Sequence, residues 1–144
     1  MSRSTRRFAL IASVMILAAI VLVACGGGAA SSNQPVDVTV TETEFKIEAS
    51  MTTFQVGVPY HFIVTNNGTV NHEFDIIPPE PSGTPETQVQ ADSLARLTQD
   101  QLPPGTTATL DYTFTQAYPA GSLEFACHLP GHYDAGMHTP IIVK

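Results

Sequence analysis

Positive charge is scarce in this 144-residue chain, where six Lys and Arg stand against thirteen Asp and Glu. Arg3, Arg6 and Arg7 crowd the N-terminus; after them only Lys46, Arg96 and Lys144 face all thirteen acids, three against thirteen, a net charge of −10. Such a surface repels polyphosphate and excludes nucleic acid as a partner, while a basic protein would be steered toward it. Cysteine is scarcer still, with only Cys25 and Cys127. The longest apolar run, Phe8 to Ala24, falls short of the roughly twenty residues that a spanning helix needs. There is no internal repeat and no His-x-His pair, and after Cys25 the only methionines are Met51 and Met137.

What is present begins with a leader. A basic start, an apolar stretch and small residues before a boundary describe a secretory signal over residues 1–24. The boundary Leu22-Val23-Ala24-Cys25 resembles a bacterial lipobox, which implies cleavage before Cys25 and lipid attachment to its sulfur. The expectation is a domain held outside the cytoplasm and anchored to a membrane. Residues 25–35, rich in Gly, Ala and Ser, read as a flexible linker. That leaves residues 36–144 for one domain of ordinary size. With Cys25 lipidated, Cys127 has no disulfide partner, and a lone thiol in an oxidising compartment calls for burial or a ligand.

The domain reads as short strands separated by turns. Val36–Val40 and Glu44–Glu48 alternate apolar and polar residues, the half-buried strand pattern. Phe54–Val58 and Tyr60–Thr65 follow. Asn66-Asn67-Gly68 then marks a turn into a strand carrying His72. Thr107–Phe114 alternates with Ala108, Leu110, Tyr112 and Phe114 on one face. Leu123, Phe125 and Cys127 share a face of the penultimate strand, and Ile141–Val143 closes the fold. The expected class is all-β, a Greek-key sandwich. Residues 78–106 interrupt it as a proline-rich crossover. There Ala91, Leu94, Ala95 and Thr98 have helical spacing, with Asp92 as cap.

The chemistry concentrates in Cys127-His128-Leu129-Pro130-Gly131-His132-Tyr133-Asp134-Ala135-Gly136-Met137. A thiolate, an imidazole and a thioether recur at intervals of five. With a second imidazole from His72, in Asn71-His72-Glu73-Phe74-Asp75, they make the soft ligand set of a mononuclear copper electron-transfer site. Pro130 and Gly131 turn the loop between Cys127 and His132, and Gly136 is expected to remove bulk beside Met137. Zinc is disfavoured, because thioether is a poor zinc ligand.

These motifs resemble the cupredoxins, and within them the rusticyanin and auracyanin type, which shares the Cys-x4-His-x4-Met spacing. The resemblance implies one type 1 copper ion held by His72, Cys127, His132 and Met137. It further implies electron exchange through the edge of His132 within an apolar rim of Leu129, Pro130, Tyr133 and Met137. Redox proteins such as a cytochrome or a membrane oxidase or reductase complex are the implied partners of a monomeric carrier, not an enzyme. Many cupredoxins tie their two ligand segments together with Asn or Ser after the first histidine, where this chain has Glu73; Asn71 flanks the other side. An ionised Glu73 near the metal would favour Cu(II). His128 also resembles the Cys-His motif of multicopper oxidases, but five histidines cannot build a trinuclear cluster. His128 is therefore expected to be a surface residue or hydrogen-bond partner, and His61 and His138 structural or exposed. The alternative function is periplasmic copper binding for tolerance or delivery, against which the lack of a Met- or His-rich tract counts.

Overall fold

The computed structural model describes residues 34–144. The leader, Cys25 and the linker up to residue 33 lie outside these residues. The described chain runs β1 (Val36–Thr43), β2 (Lys46–Ala49), β3 (Thr53–Phe54), β4 (Pro59–Asn66), β5 (Phe74–Ile77), α1 (Glu86–Asp92), β6 (Ala95–Leu97), β7 (Thr107–Thr113), β8 (Glu124–Ala126), β9 (His138–Pro140) and β10 (Ile142–Val143). One sheet has the order β2-β1-β4-β7, the other β6-β5-β8-β9, and β10 pairs with β3. β1 lies parallel to β4 and β10 parallel to β3, while the remaining pairs are antiparallel. This is the expected all-β sandwich.

Alternation builds the core. On β4 the residues Tyr60, Phe62 and Val64 face inward between half-buried neighbours. Val38 and Val40 of β1 do the same, and so does Glu42, a carboxylate at a position the pleat assigns to the interior. From the other sheet come Phe74, Ile76, Leu123 and Phe125. Phe54 stands at the centre, with ring centroids 4.9 Å from Tyr60, 5.2 Å from Phe114 and 5.8 Å from both Phe62 and Phe125. Edge-on and tilted pairs of this kind add about 0.5–1.5 kcal/mol each beyond their area.

The crossover departs from its expected form. The helix lies earlier, at Glu86–Asp92, opened by Pro85 with Glu86 in its first turn, an arrangement suited to the positive end of the helix dipole. Asp92 ends this helix instead of capping one. Residues Ala95–Leu97 form a strand, with Arg96 opposite Asp75 and Leu97 opposite Phe74. The free edge of β5 offers backbone partners to this segment, and Arg96 finds carboxylates there, so pairing outweighs helical spacing. Two strands are also shorter than their patterns: β3 stops at Phe54, and β5 begins at Phe74, leaving His72 in the loop before it.

Candidate metal centre

Cys127 follows β8 directly and is fully buried on the core face, in register with Leu123 and Phe125. Its N–H donates to Met137 O at 3.0 Å, and the N–H of Met137 donates to His132 O at 3.1 Å. His132 N–H reaches Leu129 O at 2.9 Å and Gly136 N–H reaches Tyr133 O at 2.9 Å. The eleven-residue motif is thus stitched to itself by backbone bonds. Gly131 (φ 83°) and Gly136 (φ 98°) take left-handed conformations that other residues adopt at a cost. At Gly136 this is the reason for glycine. A Cβ there would meet no atom beyond its chain neighbours within 4 Å.

His72 arrives from the opposite sheet connection. Its N–H donates to Leu102 O at 3.2 Å. The turn before it is braced by buried Asn66, whose Nδ2 donates to Val70 O and Leu102 O, both at 2.8 Å, and whose Oδ1 accepts from Gly68 N–H at 2.8 Å. Glu44 accepts from the N–H groups of Thr69 and Val70 and from the Thr69 hydroxyl; these bonds hold its pKa down to about 2. Gly68 has no room for a side chain, since a Cβ would lie 2.7 Å from Glu44 Oε1 and 2.8 Å from His72 Nε2. Asn71, beside His72 in sequence, is exposed, and the residue that braces the turn is Asn66.

The two segments bring three donor atoms together. His72 Nδ1 and Cys127 Sγ each lie 3.3 Å from His132 Nδ1. Among the described residues, His72, Cys127 and His132 form the group whose donors all lie within 4.8 Å of one another. Bonds of about 2 Å spread at about 120° separate their donors by roughly 3.5 Å, close to the spacing seen. Burial lowers the pKa of both imidazoles, His72 further through its proximity to His132, which keeps them neutral and able to ligate. Burial pushes the Cys127 thiol up to about 12, so a metal must displace its proton on binding. Met137 is fully buried in the same core cluster as Cys127. The donor set and its spacing fit a soft, thiophilic ion such as copper.

Glu73 is buried and turns inward. Its Oε1 accepts the backbone N–H of His128 at 3.0 Å, so the residue after His72 is tied to the residue after Cys127. Oε2 takes Arg96 Nη2 at 3.1 Å, and the same guanidinium reaches Asp75 at 3.1 Å and Glu86 at 2.8 Å. Burial and Glu86 raise the pKa of Glu73, while Arg96 and the two hydrogen bonds act against the rise. A carboxylate here does the tying that an amide could do, and Arg96 offsets its charge. Beside it lies a cavity of about 620 Å³ between the crossover (Ser82–Thr84, Glu86, Thr98–Asp100) and the loop residues His128–Gly131.

The expected rim is only partly present. His132 is partly exposed, with Pro130 exposed and Leu129 half-buried beside it in sequence. Met137 is fully buried, and Tyr133 is drawn into a ring stack against His128 and His138. Phe45, 41% exposed, fills the place instead, edge-on to His132 at 5.1 Å. Sequence reasoning missed it, because Phe45 reads as the apolar partner of Ile47 in an alternating strand and in fact sits in the turn before β2. His61 pairs with Asp111 and His138 with Glu124, both structural roles.

No protein-family model matches the chain. It is 27% identical over 126 residues to the copper-resistant cuproprotein CopI of Rubrivivax gelatinosus, covering 82% of this chain and 71% of that protein. CopI of Pseudomonas aeruginosa is 51% identical over 41 residues, 28% of this chain and 21% of the relative. Among solved structures, reduced auracyanin from Roseiflexus castenholzii superposes with a TM-score of 0.56 at 17% identity, covering 77% of this chain and 98% of that one. Auracyanin A of Chloroflexus aurantiacus, described as a blue copper protein, gives 0.56 at 18%, with 77% and 100% covered. Auracyanin B gives 0.59 at 15%, with 77% and 91% covered. The chain has the cupredoxin fold.

Proposed function

We propose that this cupredoxin binds one copper ion through His72 Nδ1, His132 Nδ1 and Cys127 Sγ, with Met137 as a weak fourth ligand, and carries single electrons. The observation that supports this most is the convergence of two imidazoles and a buried thiol, with His72 Nδ1 and Cys127 Sγ each 3.3 Å from His132 Nδ1. A copper ion would supply one-electron chemistry between Cu(I) and Cu(II). The chain's part is to keep the donors fixed, so that little rearrangement accompanies the change of charge. Electrons would pass at the His132 edge, framed by Phe45, Leu129 and Pro130. The acidic surface suits a basic redox partner such as a cytochrome. A cleaved secretory leader and a lipidated Cys25 would put this work outside the cytoplasm at a membrane surface. A carrier of this kind has no catalysis of its own.

A second reading, copper tolerance, has a specific support: the relative that matches over most of the chain, at 27% identity, is a copper-resistant cuproprotein. Both readings share the site and differ in what leaves it, an electron or the ion. Adding one equivalent of Cu(II) to the protein and following visible absorption through reduction and reoxidation separates them. An intense thiolate band that bleaches and returns without copper loss supports the carrier. Loss of Cu(I) to a chelator during the cycle, or a colourless complex, favours tolerance; no copper bound in either oxidation state removes both.

A further inference from the structure

We propose that His128, Tyr133 and His138 act together as positioning residues, a three-ring column that sets the relative placement of the loop ligands. The inference rests on copper at the centre described above and concerns residues outside it. Each ring belongs to the residue immediately after a ligand: His128 after Cys127, Tyr133 after His132, His138 after Met137. The interval of five that repeats through the ligands therefore repeats one residue later in rings.

Those rings meet. His128 and Tyr133 stack with centroids 4.7 Å apart and planes 19° from parallel; Tyr133 and His138 stack at 4.5 Å and 17°. Tyr133 is the shared middle member. The column is fastened to the sheet by Glu124, which is 3% exposed. It accepts the Tyr133 hydroxyl at 2.7 Å and faces His138 Nδ1 at 3.1 Å. Glu124, Ala126 and His128 alternate with Phe125 and Cys127, so the rings cover the face of β8 opposite the donor atoms. Tyr133 also packs on the small cluster of Ile77, Val89 and Ala126.

Two details argue for positioning over simple surface filling. Both ring nitrogens of His128 are buried without a protein partner, so the stacked face holds this side chain. Its backbone N–H is at the same time taken by Glu73, the residue after His72. All four residues that follow ligands are thus linked in one layer, Glu73 to His128 to Tyr133 to His138. A change in the middle ring reaches every ligand by one covalent step.

The test uses the full chain carrying Tyr133→Leu, Tyr133→Phe and His138→Leu, each loaded with one equivalent of Cu(II). Readouts are the intensity ratio of the thiolate bands, the reduction potential and copper affinity, with circular dichroism of the metal-free chain as a fold control. Tyr133→Leu is expected to change the band ratio and potential and to weaken copper binding about tenfold, the scale of outer-layer substitutions. Tyr133→Phe keeps the ring, loses the hydroxyl and should restore most of the native spectrum. If Tyr133→Leu does not fold, His138→Leu shortens the column at its end and carries the same expectation. A coloured wild type with unchanged ratio, potential and affinity in the folded Leu variants overturns the proposal. A colourless wild type overturns the carrier reading itself, and the proposal with it.

Discussion

His72 and the Cys127–Met137 loop deliver donors to the same point by opposite means. The loop supplies its donors from eleven consecutive residues and closes on itself through backbone bonds between Cys127, Met137 and His132. His72 stands in a connection before β5, held by groups that come from Asn66, Leu102, Glu44 and, through Glu73, Arg96. One half of the centre is local, the other is assembled by the sandwich. The local half should therefore tolerate damage to the fold better than the assembled half, and its failures should be chemical where those of His72 are mechanical.

The sharpest break in that comparison removes a donor from each half. Cys127→Ser takes away the soft ligand and should abolish the thiolate-to-copper band entirely, while circular dichroism stays native. His72→Ala leaves the loop intact and should keep a thiolate band at shifted wavelength with weaker binding. Equal loss of colour in both would mean that the loop is not self-sufficient. Visible absorption during copper titration decides it.

Next in size is the support of the assembled half. Arg96 is the guanidinium shared by Glu73, Asp75 and Glu86, with a side chain only 14% exposed. Arg96→Met leaves buried carboxylates without a counter-charge and should cost about 3 kcal/mol of stability at pH 8. Burial, with Glu73 adding to it, already raises the Asp75 pKa to about 7. At pH 5 these groups can take up protons, and the loss should shrink. Denaturant melts at the two pH values read it; the same loss at both would dissociate the effect from charge.

How much of this was legible in the sequence follows the same division. The loop could be read because its ligands recur at a fixed interval in one contiguous run. The sandwich could be read because Tyr60, Phe62, Val64 and their counterparts alternate. The supports of His72 could not, since Asn66, Leu102 and Arg96 become its neighbours only when β4, the crossover and β6 are in place. Asn71 was picked out for closeness to His72 in sequence, while Asn66, read only as a turn residue, is the one that closeness in space makes a brace. The crossover helix was misplaced because spacing carries no knowledge of the open edge of β5. Tyr133 and Phe45 exchanged roles for a related reason: Tyr133 has a buried acceptor in Glu124, while the turn between β1 and β2 carries Phe45 to the side of His132.

A smaller effect sharpens the assembled half from beneath. Glu42 is fully buried on β1, opposite Asn66, and neither carboxylate oxygen has a partner. Burial first, then Asp75 and Glu73, push its pKa to about 8. An acid whose folded pKa is raised binds its proton more tightly when folded, so its contribution is full at low pH and declines as pH rises toward 8. The metal-free protein should lose stability between pH 5 and pH 8. Glu42→Gln should flatten that slope and gain about 2 kcal/mol at pH 8 with little change at pH 5. A slope unaltered by the substitution would assign it to other groups.

The smallest expected effect probes a contact that crosses from the turn between β1 and β2 to the loop. Phe45 lies against the His132 ring at 5.1 Å yet makes none of the bonds that fix the ligands. Phe45→Ala should therefore shift stability by no more than about 0.5 kcal/mol, the range of exposed substitutions, and leave the thiolate band in place. What it removes is apolar surface around the imidazole where a partner would sit, and the flank that limits water's approach to it. Exchange with a basic cytochrome, measured by stopped flow, should slow at unchanged absorption. A spectral change without a kinetic one would make Phe45 a brace for the loop from outside and would narrow the contrast between the two halves.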